Sequence, residues 1–316
     1  MRTAILMLSV DEAPLLEHSL PAARAQGATE VLVIDNASDD TTKTVAEQHG
    51  ARYMRCRERI SYCAALNAGL AATDAEAVLL LNADCVLDAG FLDAALPRLG
   101  ERGVGSVAPK LIRATGPTPD ARLDVIDAVG MVVDRRRKNG LVGHGEPADR
   151  YSARADAFGG DGAAVLYRRE TLAQCAVGGE VLDEDFALWA ADADLAWRAR
   201  LLGWRCVYEP SARAWHMRFY SPTTRARLSE EHRRLQFRNR YLMIAKNETW
   251  RGLLRDLPIV LGYEVLALGH VLLRERHLLR GYLDALRLLP AAWRRRRVIQ
   301  ARARGARVPF GLKPPA

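Results

Sequence analysis

Val78-Leu79-Leu80-Leu81-Asn82-Ala83-Asp84 reads as a buried strand that stops on an amide and a carboxylate. An unbroken apolar run of this length suits a strand covered on both faces, as in parallel sheets flanked by helices. Open sheets of that kind bind ligands beyond the carboxyl ends of their strands. In extended backbone Asn82 and Asp84 point the same way. Moving outward, residues 3–8 and 30–34 read as further strands. Between them Pro14 suits a first helical turn, Leu16, Leu20 and Ala23 share one helical face, and Gly27 is a stop. Asp39, Asp40 and Thr41 can cap a helix reaching His49, with Gly50 as its end; residues 52–55 read as a short strand and 63–72 as a helix. The alternation predicts an α/β fold with a mostly parallel sheet flanked by helices.

From residue 116 to 156 the pattern dissolves into Pro, Gly and charge, including Asp134-Arg135-Arg136-Arg137-Lys138, and long loops over an acceptor cleft are expected. Residues 188–202 are helical in pattern, 205–208 look like a last strand, and 228–246 form a charged amphipathic helix. The expected division is a catalytic domain over 1–249, split near residue 112 into nucleotide and acceptor halves, and a helical, basic extension over 250–316.

With 316 residues and 49% apolar composition the chain can bury a sizeable core and is not a disordered chain. Five cysteines without C-x-x-C spacing argue against a disulfide framework or a zinc site and point to a reducing, cytosolic setting. The apolar stretch after Met1-Arg2-Thr3 is too short for a signal-peptide core. Net charge is +8, but residues 273–316 hold twelve Lys and Arg against Glu275 and Asp284, so the tail carries +10 and everything before it −2. Only Trp293 and Phe310 accompany those arginines, which disfavours nucleic acid. An anionic membrane surface is the better partner. Leu253, Leu254, Leu257, Val260, Leu261, Val265 and Leu268 recur at helical spacing ahead of Arg294-Arg295-Arg296-Arg297. Glu264 and His270 interrupt the most apolar stretch, residues 257–273, so peripheral attachment at the inner membrane face is expected rather than a crossing.

Several residues carry candidate chemistry. Asp35, at a strand end in Ile34-Asp35-Asn36-Ala37-Ser38-Asp39-Asp40, can accept from a pyrimidine N3–H or merely shape the turn. Asn82 and Asp84 offer oxygens to a divalent cation on a diphosphate, or Asp84 caps a helix. Asp183, Glu184, Asp185, Asp192 and Asp194 gather beside Phe186, Trp189 and Trp197, where a partly dehydrated carboxylate makes a general base. A helix dipole explains the first three better than Asp192 and Asp194. His216, after Trp215, can face a metal or a diphosphate, or be structural.

The order of these pieces, with Leu66-Asn67-Ala68-Gly69 and Phe158-Gly159-Gly160 between them, resembles the family 2 glycosyltransferases, especially a rhamnosyltransferase-like bacterial branch. The resemblance spans roughly residues 3–246. It implies a GT-A fold in which Asp35 binds the nucleobase, with Ser9, Asn36, Asn67 and Asn82 on the nucleotide side. It further implies Mg²⁺ or Mn²⁺ at Asp84 and His216, Asp192 as base, and Gly159, Gly160 and Asp194 on the acceptor side. The implied reaction is inverting transfer from dTDP-rhamnose or a UDP-sugar to a glycan or polyprenyl-linked hydroxyl in cell-surface polysaccharide synthesis. Two residues depart from the pattern: Asn82 stands where many relatives carry Asp, and Ala191 replaces the Glu before the base. Ala191 supports a rival reading, a non-catalytic GT-A module that binds nucleotide or scaffolds an assembly complex. Retention of Asp35, Asp84, Asp192 and His216 opposes it. A nucleotidyltransferase would want a Gly-rich basic loop at Leu8-Ser9-Val10-Asp11-Glu12, and there is none.

Overall fold

The computed structural model describes residues 1–218, 225 and 227–316. Its first half follows the expected alternation: β1 (Thr3–Ser9), α1 (Ala13–Arg24), β2 (Glu30–Asp35), α2 (Thr42–Gln48), β3 (Arg52–Arg55), α3 (Tyr62–Ala71) and β4 (Ala77–Asn82). All seven residues of β1 are buried, because helices cover both faces. The period of two then divides its side chains: Ala4, Leu6 and Leu8 join one core and Ile5 and Met7 the other. β1 lies parallel between β2 and β4, in a register that pairs Leu8 with Asn82 and Ser9 with Asp35. Three polar strand ends thereby meet at one edge. Asp40 fixes the turns beneath them, accepting from Ala13 N at 2.8 Å and from Thr42 N at 3.0 Å at the starts of two helices.

Next come β5 (Cys85–Leu87), α4 (Phe91–Leu99), β6 (Val104–Ala114), β7 (Arg122–Ala128), β8 (Met131–Val133), β9 (Asn139–Leu141), β10 (Ala155–Ala157), β11 (Ala164–Arg168), α5 (Arg169–Cys175), α6 (Ala191–Leu201) and β12 (Arg205–His216). The main sheet has the order β10-β12-β6-β11-β4-β1-β2-β3, with β5 on β12 and β7 on β6. β11 is antiparallel to both neighbours, so β1 to β4, β6 and β12 all point one way and the sheet is mostly parallel. Residues 116–156 are more regular than the sequence suggested, carrying β7 and the β8–β9 hairpin. The basic run at 134–138 is the turn of that hairpin and not a cleft loop; Arg137 is fully buried and paired with Glu248 and Asp256. The last strand outruns its expected end at residue 208, because an irregularity between Glu209 and Arg213 resets its pairing with β6 and carries it on to His216. There it pairs with β5, His216 opposite Cys85.

The chain ends in α7 (Glu230–Asn247), α8 (Trp250–Leu273) and α9 (Leu279–Arg302). α7 is not simply amphipathic: Asn239, Arg240, Lys246 and Asn247 lie on its buried face. Ala292, Ile299 and Val308 belong to the same core as Trp197 and Leu242, and the Phe310 ring meets Trp197 edge-on at 4.9 Å. The basic tail is therefore partly folded into the body. Arg295 pairs with Glu180, Asp183 and Asp185. α8 corrects a second expectation, being long and apolar enough to cross a membrane by length and composition. Glu264 does not interrupt its outer face, since Arg240 at 2.7 Å and the Tyr241 hydroxyl at 2.6 Å hold it. Leu254, Leu261, Val265, Leu266 and Leu273 are each more than half exposed.

Candidate active site

Antiparallel pairing of β12 with β5 sets His216 beside Asp84. His216 Nε2 lies 3.3 Å from Asp84 Oδ1, and its Nδ1 is 2.8 Å from Asp127 Oδ2 at the end of β7. Burial alone would lower the imidazole, but the two carboxylates push it up to about 10. Asp127 is fully buried, and His216 and Arg218 outweigh that burial and hold its carboxyl well below the usual range. Arg218 Nε reaches Asp127 Oδ1 at 2.7 Å, and its Nη2 reaches Asp161 Oδ2 at 2.5 Å. Asp84 Oδ1 is buried and, among the described residues, has no partner but the His216 imidazole. A buried carboxylate oxygen whose one neighbour is an imidazole nitrogen, with the far nitrogen held by a carboxylate, has the chemistry of a cation-binding pair and its supporting shell. The residues fit a divalent cation as two ligands; among the described residues no group of three such side chains converges.

Asp192 stands at the start of α6. Its Oδ2 accepts from Gly162 N at 3.1 Å and its Oδ1 from Ala193 N at 2.8 Å. Burial and then the charge of Asp161 push its carboxyl up to about 6, against those two hydrogen bonds and Arg218. A carboxylate oriented by backbone donors and titrating near neutrality is equipped to take a proton. Glu12, just beyond β1, is pushed up to about 7 by burial and then by the charge of Asp84.

The nucleotide-side residues are mostly engaged in building the edge. Asp35 is fully buried, accepting from Ser38 N at 2.7 Å, the Tyr53 hydroxyl at 2.5 Å and Arg55 at 2.6 Å. Burial would raise its carboxyl; those donors prevail and hold it low. Asn36 clamps Ile60 through both its amide atoms, at 2.8 and 2.9 Å. Asn67 does the same to Leu182 and also reaches Glu184 at 3.0 Å, fastening the acidic loop to α3. The Ser9 hydroxyl lies buried, 3.3 Å from that of Thr42. Asn82 closes β4 by donating its backbone N–H to the Ala163 carbonyl.

Three acceptor-side residues sit differently from expectation. Asp194 is fully buried, with Arg198 Nε at 3.0 Å on Oδ2 and Asn247 at 2.7 Å and Lys246 at 3.0 Å on Oδ1. It is an ion-pair node in the core. Gly159 and Gly160 are glycines for packing: a Cβ on the first would lie 2.4 Å from Ala196 Cβ on α6, and on the second 2.5 Å from Val165 Cγ2 on β11. The sequence reading missed Glu12, Asp127, Asp161 and Arg218. Asp161 directly follows the glycine pair and Arg218 stands two residues past His216, so each adjoined a motif already singled out. Asp127 lay in a stretch with no recognisable pattern.

The mostly parallel sheet flanked by helices, with a helical extension after it, matches the GT-A fold of solved nucleotide-sugar transferases. The chain aligns over 95% of its length with a mannosyltransferase of Pyrobaculum calidifontis in complex with GDP-Man and Mn²⁺, covering 85% of that chain at 19% identity and TM-score 0.54. It aligns over 95% with residues 1–349 of S. aureus TarS in complex with UDP-GlcNAc, covering 91% at 14% identity and TM-score 0.59. Residues 4–170 match the family described as Glycosyl transferase family 2, and the chain belongs to that family. Uncharacterized glycosyltransferases of Mycobacterium bovis and Mycobacterium tuberculosis share 41% identity over 78 residues, 24% of this chain. The chain spans about a third of the length of those curated relatives, 35%.

Proposed function

We propose that this protein is an inverting glycosyltransferase that moves a sugar from a nucleoside diphosphate to an acceptor hydroxyl, with Asp192 as general base. The observation that carries the reading is the Asp192 carboxylate, held by two backbone N–H groups and raised to about 6 by burial and the charge of Asp161. Asp192 takes the proton from the acceptor oxygen as it attacks the anomeric carbon, and no covalent bond to the protein is needed. Asp84 and His216 are the residues that would hold Mg²⁺ or Mn²⁺, which when bound neutralises charge on the departing diphosphate. Arg218 holds Asp127 and Asp161 in place around them. Asp35 supports the nucleobase side through Tyr53 and Arg55 or by accepting directly. The order of motifs favours dTDP-rhamnose or a UDP-sugar as donor, with a glycan or polyprenyl-linked acceptor in cell-surface polysaccharide synthesis. α8 and the arginines beside it favour attachment to the cytoplasmic face of a membrane.

Melting the full chain with a panel of nucleotide sugars, with Mn²⁺ and with chelator, tests the reading. One donor should raise Tm only with the cation, and should then turn over on a lipid-linked or glycan acceptor. No shift with any nucleotide would overturn it. A cation-dependent shift without transfer to any acceptor would favour the non-catalytic module, which the Ala191 departure supports.

A further inference from the structure

A cavity of about 260 Å³ lies at the root of α8, lined by Arg135, Arg255, Arg307, Val308, Pro309 and Phe310. None of these belongs to the site described above. Asp256, fully buried, receives Arg135 at 2.7 Å, Arg137 at 2.9 Å and Arg255 at 2.9 Å. Glu248 also pairs with Arg137. Counting Arg307, which makes no ion pair among the described residues, four guanidiniums face two carboxylates. The cavity therefore has a cationic rim and an apolar floor. Helical spacing makes it continuous with a second feature, since Arg255, Ile259, Leu266 and Leu273 fall at intervals of four and seven along one stripe of α8. Ile259 is 36%, Leu266 73% and Leu273 80% exposed. No exposed position from 257 to 273 carries Lys, Arg, Asp or Glu, while Arg251 and Arg255 stand before the stretch and Arg274 and Arg276 after it.

We propose that this cavity holds the phosphate of an anionic phospholipid while the apolar stripe of α8 lies in the same membrane surface; the inference rests on the membrane attachment proposed above. A guanidinium cluster over an apolar floor matches a phosphodiester that enters with its acyl chains alongside. Charge also decides against a second copy as the occupant. Pairing two α8 stripes antiparallel sets Arg251 and Arg255 against Arg274 and Arg276, and pairing them parallel sets each arginine near its own copy. An anionic surface satisfies both ends at once.

The test is sedimentation of the full chain with vesicles of phosphatidylcholine alone and of phosphatidylcholine with phosphatidylglycerol. The chain should bind the mixed vesicles, and Arg255→Gln with Arg307→Gln should weaken that binding about tenfold or more. Arg307→Gln alone lies on the coil after α9 and should give a smaller loss with Tm unchanged. Arg24→Gln with Arg102→Gln removes the same net charge from exposed positions at α1 and after α4, and should have little effect. Equal losses in the two double variants, or none in the cavity variant, would overturn the site. So would a Tm rise with inorganic phosphate, lost in the cavity variant, without vesicle binding, or self-association abolished by Leu266→Ser. Absence of wild-type binding to any vesicle overturns the membrane reading as well, whereas a retained nucleotide-dependent Tm shift leaves the transferase reading standing.

Discussion

Two sets of buried carboxylates lie on either side of α6 and are compensated very differently. On one side, Asp84, Asp127 and Asp161 have His216 and Arg218 between them and Asp192 feels the charges of Asp161 and Arg218, four acids against two cations. Behind them, Asp183 and Asp194 meet Lys246, Arg198 and Arg295, at least one cation for each acid. Asp192 and Asp194 belong to these opposite sets although only two residues apart. The balanced set holds α6 against α7 and has nothing left to offer. The unbalanced set leaves Asp84 Oδ1 facing only the His216 imidazole among the described residues and holds the Asp192 carboxyl up at about 6, where the proposed cation and acceptor proton would find their places.

The largest expected effect breaks the comparison on the cleft side. Asp192→Asn should lower transfer by roughly 10²–10⁴-fold while nucleotide binding persists, because only the proton acceptor is lost. Wild-type transfer should rise with pH through about 6, where the carboxyl ionises. Stability should move the other way. The folded chain holds this proton up to about 6 and the unfolded chain only to 3.8, so stability falls as pH rises through that window. The Tm of Asp192→Asn should accordingly fall less than that of the parent between pH 4 and pH 7, with one of the two backbone hydrogen bonds lost at every pH. A parental rate in the variant would remove Asp192 from the mechanism.

On the balanced side the effect should fall on folding. Asp194→Ala leaves Arg198 buried without its acid and Lys246 with Asp183 alone, and a loss of about 3–5 kcal/mol is expected in urea unfolding. A variant as stable as the parent but slow in transfer would return Asp194 to the acceptor side.

Gly159→Ala sharpens the same contrast at about 1–3 kcal/mol, the usual range for overpacking, since the new Cβ must displace Ala196 on α6. Tm should fall while the acceptor KM in the folded fraction stays close to the parental value. A raised KM without loss of Tm would mean that the glycine admits a sugar.

How far the sequence revealed all this follows from the range of the interactions. The parallel strands were legible because burial on both faces forces unbroken apolar runs, and their polar ends because the chain turns there. Gly69 belongs to that local code: a Cβ there would run into the Ile34 side chain, which would have to shift for α3 to lie as close on β2. Asp84, Asp192 and His216 were found as local motifs. Their partners were not, because Asp127 and Arg218 are 91 residues apart and meet only through the pairing of β6 with β7 and β12. Asp194 misled because its sequence neighbours are those of Asp192, while Lys246 and Asn247, which complete its pairing with Arg198, come from α7, the latter 53 residues on. The tail arginines misled for a similar reason, since the acids that bind Arg295 precede it by more than a hundred residues.

The smallest expected effect tests whether Asp127 works through His216. Asp127→Asn retains an oxygen that can accept from Nδ1–H, so the ring should keep its orientation and lose only the negative charge behind it. Outer-shell changes of this kind typically lower metal affinity by about 10–100-fold. The lower end, about tenfold or 1.4 kcal/mol, is expected here because the hydrogen bond survives and Arg218 keeps Asp161 as a partner. Titrating Mn²⁺ against the nucleotide-dependent rise in Tm measures the shift directly, and melting without cation separates it from any change in folding. Asp127→Ala, which removes the acceptor as well, should weaken the cation further. If both variants matched the parent in the titration, His216 would not depend on Asp127, and the buried chain from Asp84 to Asp161 would be scaffolding like that around Asp194.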